Sequence, residues 1–439
     1  MSKISQLITA ADGSPIDGQA CSVKSEPQLS PPAVKRNMIV LILLSATYNT
    51  GWTDLQLAMQ PFLVFLGASN TMIGIITGAP FMALIGVIIS PWITRYFRTK
   101  KKYLFFVNVP YLGMALLIGV AAILAQSMEI SNSYLLMCVF FLMLAHCFFS
   151  GFVSLPCQEY MAACIPMSHR GRLTGYSLSI GGVASIGAAA LGGWILAHVS
   201  KPAAFGYVIV LGWIIMQGGY FAALFAKELP TPVEKSPPPW SAKMLKIAWQ
   251  DKSYMRFILM FFVYTTLVTQ TFIFVNIYGF SGLKMAAATA AIMAIINQVA
   301  RIALSIPLGQ ISDKFGPKRV LPYSFILAAI ALFIPILMPN QYGIYISIAI
   351  SAVFGALICS AQTALLLGIP SPENRAGYYS LQLLAQNASL ALGPIMMGFL
   401  CDYLSYSIVF IVTGIIAVVM IPLCFYMLRT LPDEANSYS

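Results

Sequence analysis

Charge is what this chain has least of. Only 9% of its 439 residues are Asp, Glu, Lys or Arg, where an average soluble domain carries about 25%. With 59% of the residues hydrophobic, a soluble fold of this length could not hide its apolar surface, because the buried fraction rises only slowly with size. Other absences narrow the reading further. The 8 cysteines show neither zinc spacing nor the clustering of a disulfide framework, and they read as small apolar residues. No Gly-Lys-Ser/Thr phosphate loop is present, so no ATP motor is expected. No signal peptide is expected either: residues 1–36 are rich in Ser, Pro, Gln and Gly and read as a disordered tail.

What is present is a series of long oily runs. A helix needs about 20 apolar residues to cross roughly 30 Å of hydrocarbon. Twelve segments qualify, at 38–64, 71–94, 103–126, 134–164, 173–198, 204–226, 254–279, 284–311, 320–339, 343–368, 376–400 and 405–428. They lack the strict alternation of barrel strands, and only helices or closed barrels satisfy every backbone group in lipid. The fourth and eighth are long, which predicts tilt or extension beyond the membrane. The fold class is therefore an all-α polytopic membrane protein. No span-free stretch is large enough for a catalytic domain, so no enzyme is expected.

The basic residues then set orientation. If the N-terminus is cytoplasmic, only Lys201, Lys284 and Arg301 of the 25 Lys and Arg residues fall outside the cytoplasmic segments. This asymmetry predicts an inner- or plasma-membrane protein with both termini inside. It also assigns the net charge of +11 to anionic lipid rather than nucleic acid. The longest connection, 227–253, divides the chain into a six-helix unit at 37–226 and a second at 254–429, followed by a short tail at 430–439.

The two halves echo each other. GFVSLPCQEYMAACIP, from Gly151 to Pro166, matches GALICSAQTALLLGIP, from Gly355 to Pro370, at the Gly, the Gln and the closing Ile-Pro without a gap. Arg170 and Arg375 follow, then Tyr176-Ser177-Leu178 and Tyr379-Ser380-Leu381. Such internal repeats are common in transporters.

The sharpest motif lies between the eighth and ninth spans: Gly309-Gln-Ile-Ser-Asp313-Lys314-Phe-Gly316-Pro-Lys318-Arg319. It resembles the loop signature of the major facilitator superfamily, in which a Gly is followed four positions later by Asp, then by a basic residue, a second Gly and further basic residues. The equivalent loop between spans two and three is degenerate, with Ser90, Thr94 and Phe97 at the Gly, acid and Gly positions. The resemblance covers about residues 37–429. It implies twelve transmembrane helices in two six-helix bundles related by a pseudo-two-fold repeat, a central cavity lined by the first, fourth, seventh and tenth helices, and a gating loop in which Gly309, Asp313, Lys314, Gly316, Lys318 and Arg319, with Arg170 and Arg375, hold one end closed. The Gly-Pro-x-x-Gly-Gly element common in the fifth helix of the family's antiporters lacks its proline here, at Gly187 to Gly193, which weighs against drug:proton antiport.

Ionisable groups deep in lipid are functional candidates by default. Asp54 stands in TYNTGWTDLQ, the most polar stretch of any span; by the resemblance it faces the pathway as a proton carrier, and otherwise it is a polar helix–helix contact. His146 either titrates or donates between helices. Glu159, nearer the cytoplasmic end, is a third proton-coupling candidate, or a gate or partner for Arg170. Arg301 keeps its charge and lies about 12 Å along the helix from Gly309; it either receives an anionic substrate group or neutralises a buried acid such as Asp54. The substrate-binding candidates are Asn49, Gln56, Tyr264, Gln270, Asn297, Arg301, Gln362 and Gln386. The expected function is proton-coupled transport of a small solute by a monomer that needs no cofactor or metal. The rivals are a drug or metabolite exporter and, in a different class, a non-transporting receptor or assembly factor on the same fold.

Overall fold

The computed structural model describes residues 30–94, 96–97, 99–229, 249–368 and 375–428. The expected tails before residue 30 and after residue 428, the middle of the linker (230–248) and the stretch 369–374, with the closing Ile-Pro of the second repeat, lie outside the described residues.

Among the described residues the structure is helical throughout. In chain order the rods are α1 (Pro31–Phe65), α2 (Asn70–Thr94), α3 (Lys100–Ser127), α4 (Asn132–Cys164), α5 (Met167–His198), α6 (Ala203–Ala223), α7 (Lys252–Ser281), α8 (Thr289–Phe315), α9 (Pro317–Leu337), α10 (Gln341–Gly368), α11 (Arg375–Tyr403) and α12 (Tyr406–Leu428). Ten are long and apolar enough to cross a membrane. Of the other two, α8 is apolar over the shorter stretch Thr289–Leu304 among the described residues, and α1 carries the polar run ending at Gln56. The expected long fourth span is present as the 33 residues of α4. One boundary is corrected: α1 begins at Pro31, inside the segment expected to be tail. Proline suits the first turn of a helix, where its missing N–H has no partner to lose.

The helices sort into two bundles. In the first, α1 packs on α5 and α6, α3 on α4 and α6, and α2 on α4. In the second, α9 packs on α10 and α12, α8 on α10, and α7 on α11 and α12. Backbones touch where glycines face each other. A Cβ on Gly51 of α1 would lie 2.3 Å from the carbonyl oxygen of Gly212 on α6, and one on Gly212 would lie 2.7 Å from that of Gly51. Without a strong hydrophobic drive between helices in lipid, such close packing supplies the attraction. The outer surface exposes Ile88, Trp92, Phe106, Phe141, Trp194 and Tyr426. Water would tolerate a surface of this kind poorly, and lipid is its natural solvent.

The bundles meet along α2–α11 and α5–α8, with α1 touching α7 and α8. One end of the molecule carries the basic segments Lys100–Lys102 and Lys314–Arg319. At this basic end Gly316 has φ +81°, a left-handed conformation that glycine adopts without strain. It joins α8 to α9 in a tight turn, as the loop motif predicts.

Part of the expected linker is fastened to the first bundle. The Asn37 Nδ2 donates to the carbonyl oxygens of Cys164 at 2.9 Å and Lys227 at 2.8 Å, and its Oδ1 accepts from the Lys227 N–H at 2.8 Å. The Glu228 carboxylate accepts from the backbone N–H of Lys100 at 2.5 Å and of Lys101 at 3.1 Å. It thereby caps α3, where unpaired N–H groups and the helix dipole favour negative charge. Asp251 caps α7 in the same way, accepting from Ser253 and Tyr254.

Candidate functional site

Between the bundles lies a cavity of about 590 Å³. From α1 it is lined by Asn49, Trp52, Thr53, Gln56, Leu57 and Gln60. These positions recur every three or four residues, so they form one stripe on the helix. From α5 come Gly175, Leu178, Ser179, Gly182 and Ser185; from α7, Asn276 and Phe280; from α8, Ala290, Met293, Ala294, Asn297, Gln298, Arg301 and Ile302; from α10, Ile348. The lining therefore offers six carboxamides, Asn49, Gln56, Gln60, Asn276, Asn297 and Gln298, with the hydroxyls of Thr53, Ser179 and Ser185. Gln298 Nε2 donates to Thr53 Oγ1 at 3.2 Å and ties the two walls together. Asn276 Oδ1 and Ser185 Oγ are buried without a hydrogen-bond partner.

The family expectation that helices one, four, seven and ten line the cavity is corrected. No described residue of α4 reaches it, α5 and α8 form most of its walls, and α10 contributes Ile348. The α4 polar face instead borders a second cavity of about 520 Å³ inside the first bundle, with Ser150, Ser154, Cys157 and Gln158 facing Tyr48, Tyr111, Ser177 and Tyr220.

Of the substrate-binding candidates, Asn49, Gln56, Asn297 and Arg301 converge on the central cavity. The other four do not line it. Tyr264 donates to Gln362 Oε1 at 3.3 Å, joining α7 to α10 within the second bundle. Gln270 packs on Gly393 of α11, and Gln386 Oε1 accepts from Gln382 at 3.1 Å. The first two contacts join neighbouring helices, and the third lies within α11. Trp52, Thr53, Gln60, Ser179 and Ser185 were missed, although the three-and-four spacing of Asn49, Thr53, Gln56 and Gln60 is visible in the sequence.

Asp54 is one residue off that stripe, and this shift turns it away from the cavity. It is wholly buried, with Gly192 of α5 and Gly212 of α6 beside it, and neither carboxyl oxygen has a hydrogen-bond partner. The expectation that it faces the pathway is corrected, and no ion pair joins it to Arg301. His146 is buried where α4 meets α3. Its Nδ1 donates to the Tyr111 carbonyl oxygen at 2.9 Å, and its ring stacks on Tyr111 and Trp52 at 4.7 and 6.5 Å. Its Nδ1 thus donates between helices, while its Nε2 is buried without a hydrogen-bond partner, and the ring stands behind a cavity-lining tryptophan. Glu159 pairs with Lys100 Nζ at 3.1 Å; the expected partner, Arg170, has its side chain outside the described ones. Of the gating-loop residues, Lys314 and Arg319 are exposed and Lys318 is half-buried; the side chains at Arg170, Gly309, Asp313 and Arg375 lie outside the described ones.

At the end opposite the basic segments, the bundles are latched. Asp402, near the end of α11, accepts from the backbone N–H of Asn70 at 2.9 Å and of Thr71 at 2.8 Å, and from the Thr71 hydroxyl at 2.6 Å. An acid of one bundle thus caps a helix of the other. Tyr406 hydrogen-bonds Asn70 Oδ1 and shares a 2.7 Å hydrogen bond with Ser281. Glycines permit the approach: a Cβ on Gly398 would lie 2.3 Å from the Asn70 carbonyl oxygen, and one on Gly74 would lie 2.3 Å from that of Pro394. The α5–α8 seam is closed by Gly193 against Ala291 and Gly182 against Ile302.

The comparisons agree with this architecture. The family model described as Major Facilitator Superfamily matches residues 38–306 and 288–438. The chain belongs to the major facilitator superfamily. Among curated relatives, the multidrug resistance protein MdtH of Proteus mirabilis (strain HI4320) is 27% identical over 120 residues, which is 27% of this chain and 30% of the relative. The match thus spans less than a third of that relative's length. Among solved structures, a bacterial homolog of the human lysosomal transporter Spinster, in an inward-facing and unoccupied conformation, superposes with a TM-score of 0.64 at 17% identity, over 92% of this chain and 98% of that one. A D-xylose-proton symporter superposes with a TM-score of 0.65 at 14% identity, over 91% of this chain and 98% of that one. Likeness at such identities concerns the fold.

Proposed function

We propose that this superfamily member is a secondary active transporter that moves a small polar solute across the plasma or inner membrane by alternating access, with protons as the coupling ion. The observation that carries the reading is a polar cavity between two bundles that are latched together at one end. In this reading all twelve helices cross the membrane, both termini are cytoplasmic, and the basic end faces the anionic inner leaflet. The latched end is then the outer gate and the conformation is inward-facing, the state named for the superposable Spinster homolog.

Asp54 is the proposed proton carrier. Its two oxygens lack partners, and it neighbours the cavity-lining Thr53 on α1. A buried, unpaired carboxylate costs several kcal/mol, so its ionisation would be tied to a conformation that wets or pairs it. A proton-coupled sugar transporter shares the fold.

The test is reconstitution into proteoliposomes, with a panel of labelled metabolites offered with and without an imposed pH gradient. Gradient-driven uptake or extrusion that Asp54→Asn abolishes supports the reading. Solute binding without flux would instead identify a receptor. A second reading, drug export, is favoured by the partial match to the multidrug resistance protein MdtH; extrusion of apolar cationic drugs would select it.

A further inference from the structure

We infer that the central cavity takes an organic anion, its carboxylate or phosphate held by Arg301 and its hydroxyl or amide groups held by the surrounding carboxamides. This inference rests on the transporter reading and adds the substrate class. Among the described residues lining the cavity, Arg301 alone is ionisable. Its guanidinium keeps its charge at any physiological pH and presents a planar fork that matches an oxyanion with two parallel hydrogen bonds.

The sequence leaves open whether Arg301 receives a ligand or neutralises a buried acid, and the geometry decides between these. Asp54, the acid in question, is buried against Gly192 and Gly212 on the far side of α1, and its oxygens have no partner. Glu159 is committed to Lys100, and Asp402 to Asn70 and Thr71. No described acid therefore offsets the charge that Arg301 brings to the cavity.

The rest of the lining describes the body of the ligand. Asn297 lies one helical turn from Arg301 and lines the same cavity. Asn276 Oδ1 and Ser185 Oγ, buried in the wall without partners, supply acceptor and hydroxyl groups still to be satisfied, and buried polar atoms of this kind normally find a partner. Trp52 and Phe280 contribute apolar faces. A volume of about 590 Å³ suits a metabolite-sized solute. A simple inorganic ion would leave most of the amides unused, and a cation would meet Arg301 with like charge.

The experiment uses the full-length protein in lipid nanodiscs and probes matched in pairs that differ by one charged group: gluconate against glucose, benzoate against benzamide, and glucose 6-phosphate against glucose. Thermal unfolding is followed with each probe, for wild type, Arg301→Gln and Arg301→Lys. The expected result is that at least one anion raises Tm where its neutral counterpart does not, that Arg301→Gln weakens its apparent affinity at least tenfold, and that Arg301→Lys retains part of it. Which pair responds separates carboxylate from phosphate. Neutral and anionic members acting alike, no response from any anion, or an anion response that survives Arg301→Gln would overturn the inference. Transport of a neutral or cationic solute would remove the anion class and leave the transporter reading standing. Arg301-dependent anion binding without flux of any solute would do the reverse.

Discussion

Asp402 holds Thr71 by two hydrogen bonds: its carboxylate accepts the Thr71 backbone N–H at 2.8 Å and the Thr71 hydroxyl at 2.6 Å. The two residues belong to different bundles, so the contact must break whenever the bundles separate at that end. Both bonds involve an ionised acceptor, and such bonds are worth more than neutral ones.

Replacing Asp402 with Asn should therefore loosen the latch. Losing one charge-assisted bond costs roughly 1.5–3 kcal/mol, which is on the order of a tenfold or greater shift toward conformations open at the latched end. A cysteine introduced at Gln60 lines the cavity near that end, and its labelling rate by a membrane-impermeant maleimide measures the shift. Asp402→Asn should raise the rate from the face opposite the basic loops, and an unchanged rate would mean that the glycine seam alone closes the gate.

Asp54 should prove dispensable for folding. Its carboxyl makes no hydrogen bond, so Asp54→Asn deletes no native contact and removes the cost of burying charge. Thermal unfolding in detergent should show a Tm within a few degrees of wild type or above it, while flux driven by a pH gradient is lost. A large fall in Tm would make Asp54 a structural residue.

The crossing of α1 and α6 should tolerate no side chain at Gly51. An added Cβ would lie 2.3 Å from the Gly212 carbonyl oxygen and 2.5 Å from Met216. Backbone cannot yield as a flexible side chain does, so Gly51→Ala should cost at least the roughly 1–3 kcal/mol typical of overpacking. The readout is monodisperse yield after solubilisation, with Gly187→Ala, where an added Cβ meets nothing within 4 Å, as the matched control.

Glu228 lies beyond the end of α6 and caps α3, and it should make stability depend on pH. Burial raises its carboxyl above the ordinary value of 4.5, and the Lys100 and Lys101 N–H groups that it accepts from only partly oppose the shift. Folding thus favours the protonated form. That contribution is complete below about pH 4.5 and is lost as pH rises through the elevated folded value. Glu228→Gln should flatten this part of the Tm-against-pH curve. An identical curve in the variant would place the titration elsewhere.

Much of the fold is legible without coordinates because lipid imposes strict conditions. Oily runs of sufficient length must be helices, and the Gly309–Arg319 motif with the Gly151–Pro166 repeat points to two like bundles. Side-chain direction is harder to read. Asp54 and Thr53 are neighbours in sequence, yet about 100° of helix rotation sends one into the α5–α6 interface and the other into the cavity. Tyr264, Gln270 and Gln362 are as polar as Asn297, but Tyr264 and Gln362 pair with each other and Gln270 packs on Gly393, contacts that depend on which helices adjoin, while Gln386 pairs with Gln382 on its own helix.

The sequence by itself determined the solvent, the helical class and the family, since each follows from hydropathy, length and local motif, which are properties of contiguous residues. Only the tertiary structure decided that Arg301 stands in the cavity with no acid among the described lining residues, that Asp54 stands behind its wall, and that Asp402 fastens one bundle to the other. Those are relations between residues far apart in the chain, and their energies depend on separation and burial, which no stretch of sequence contains.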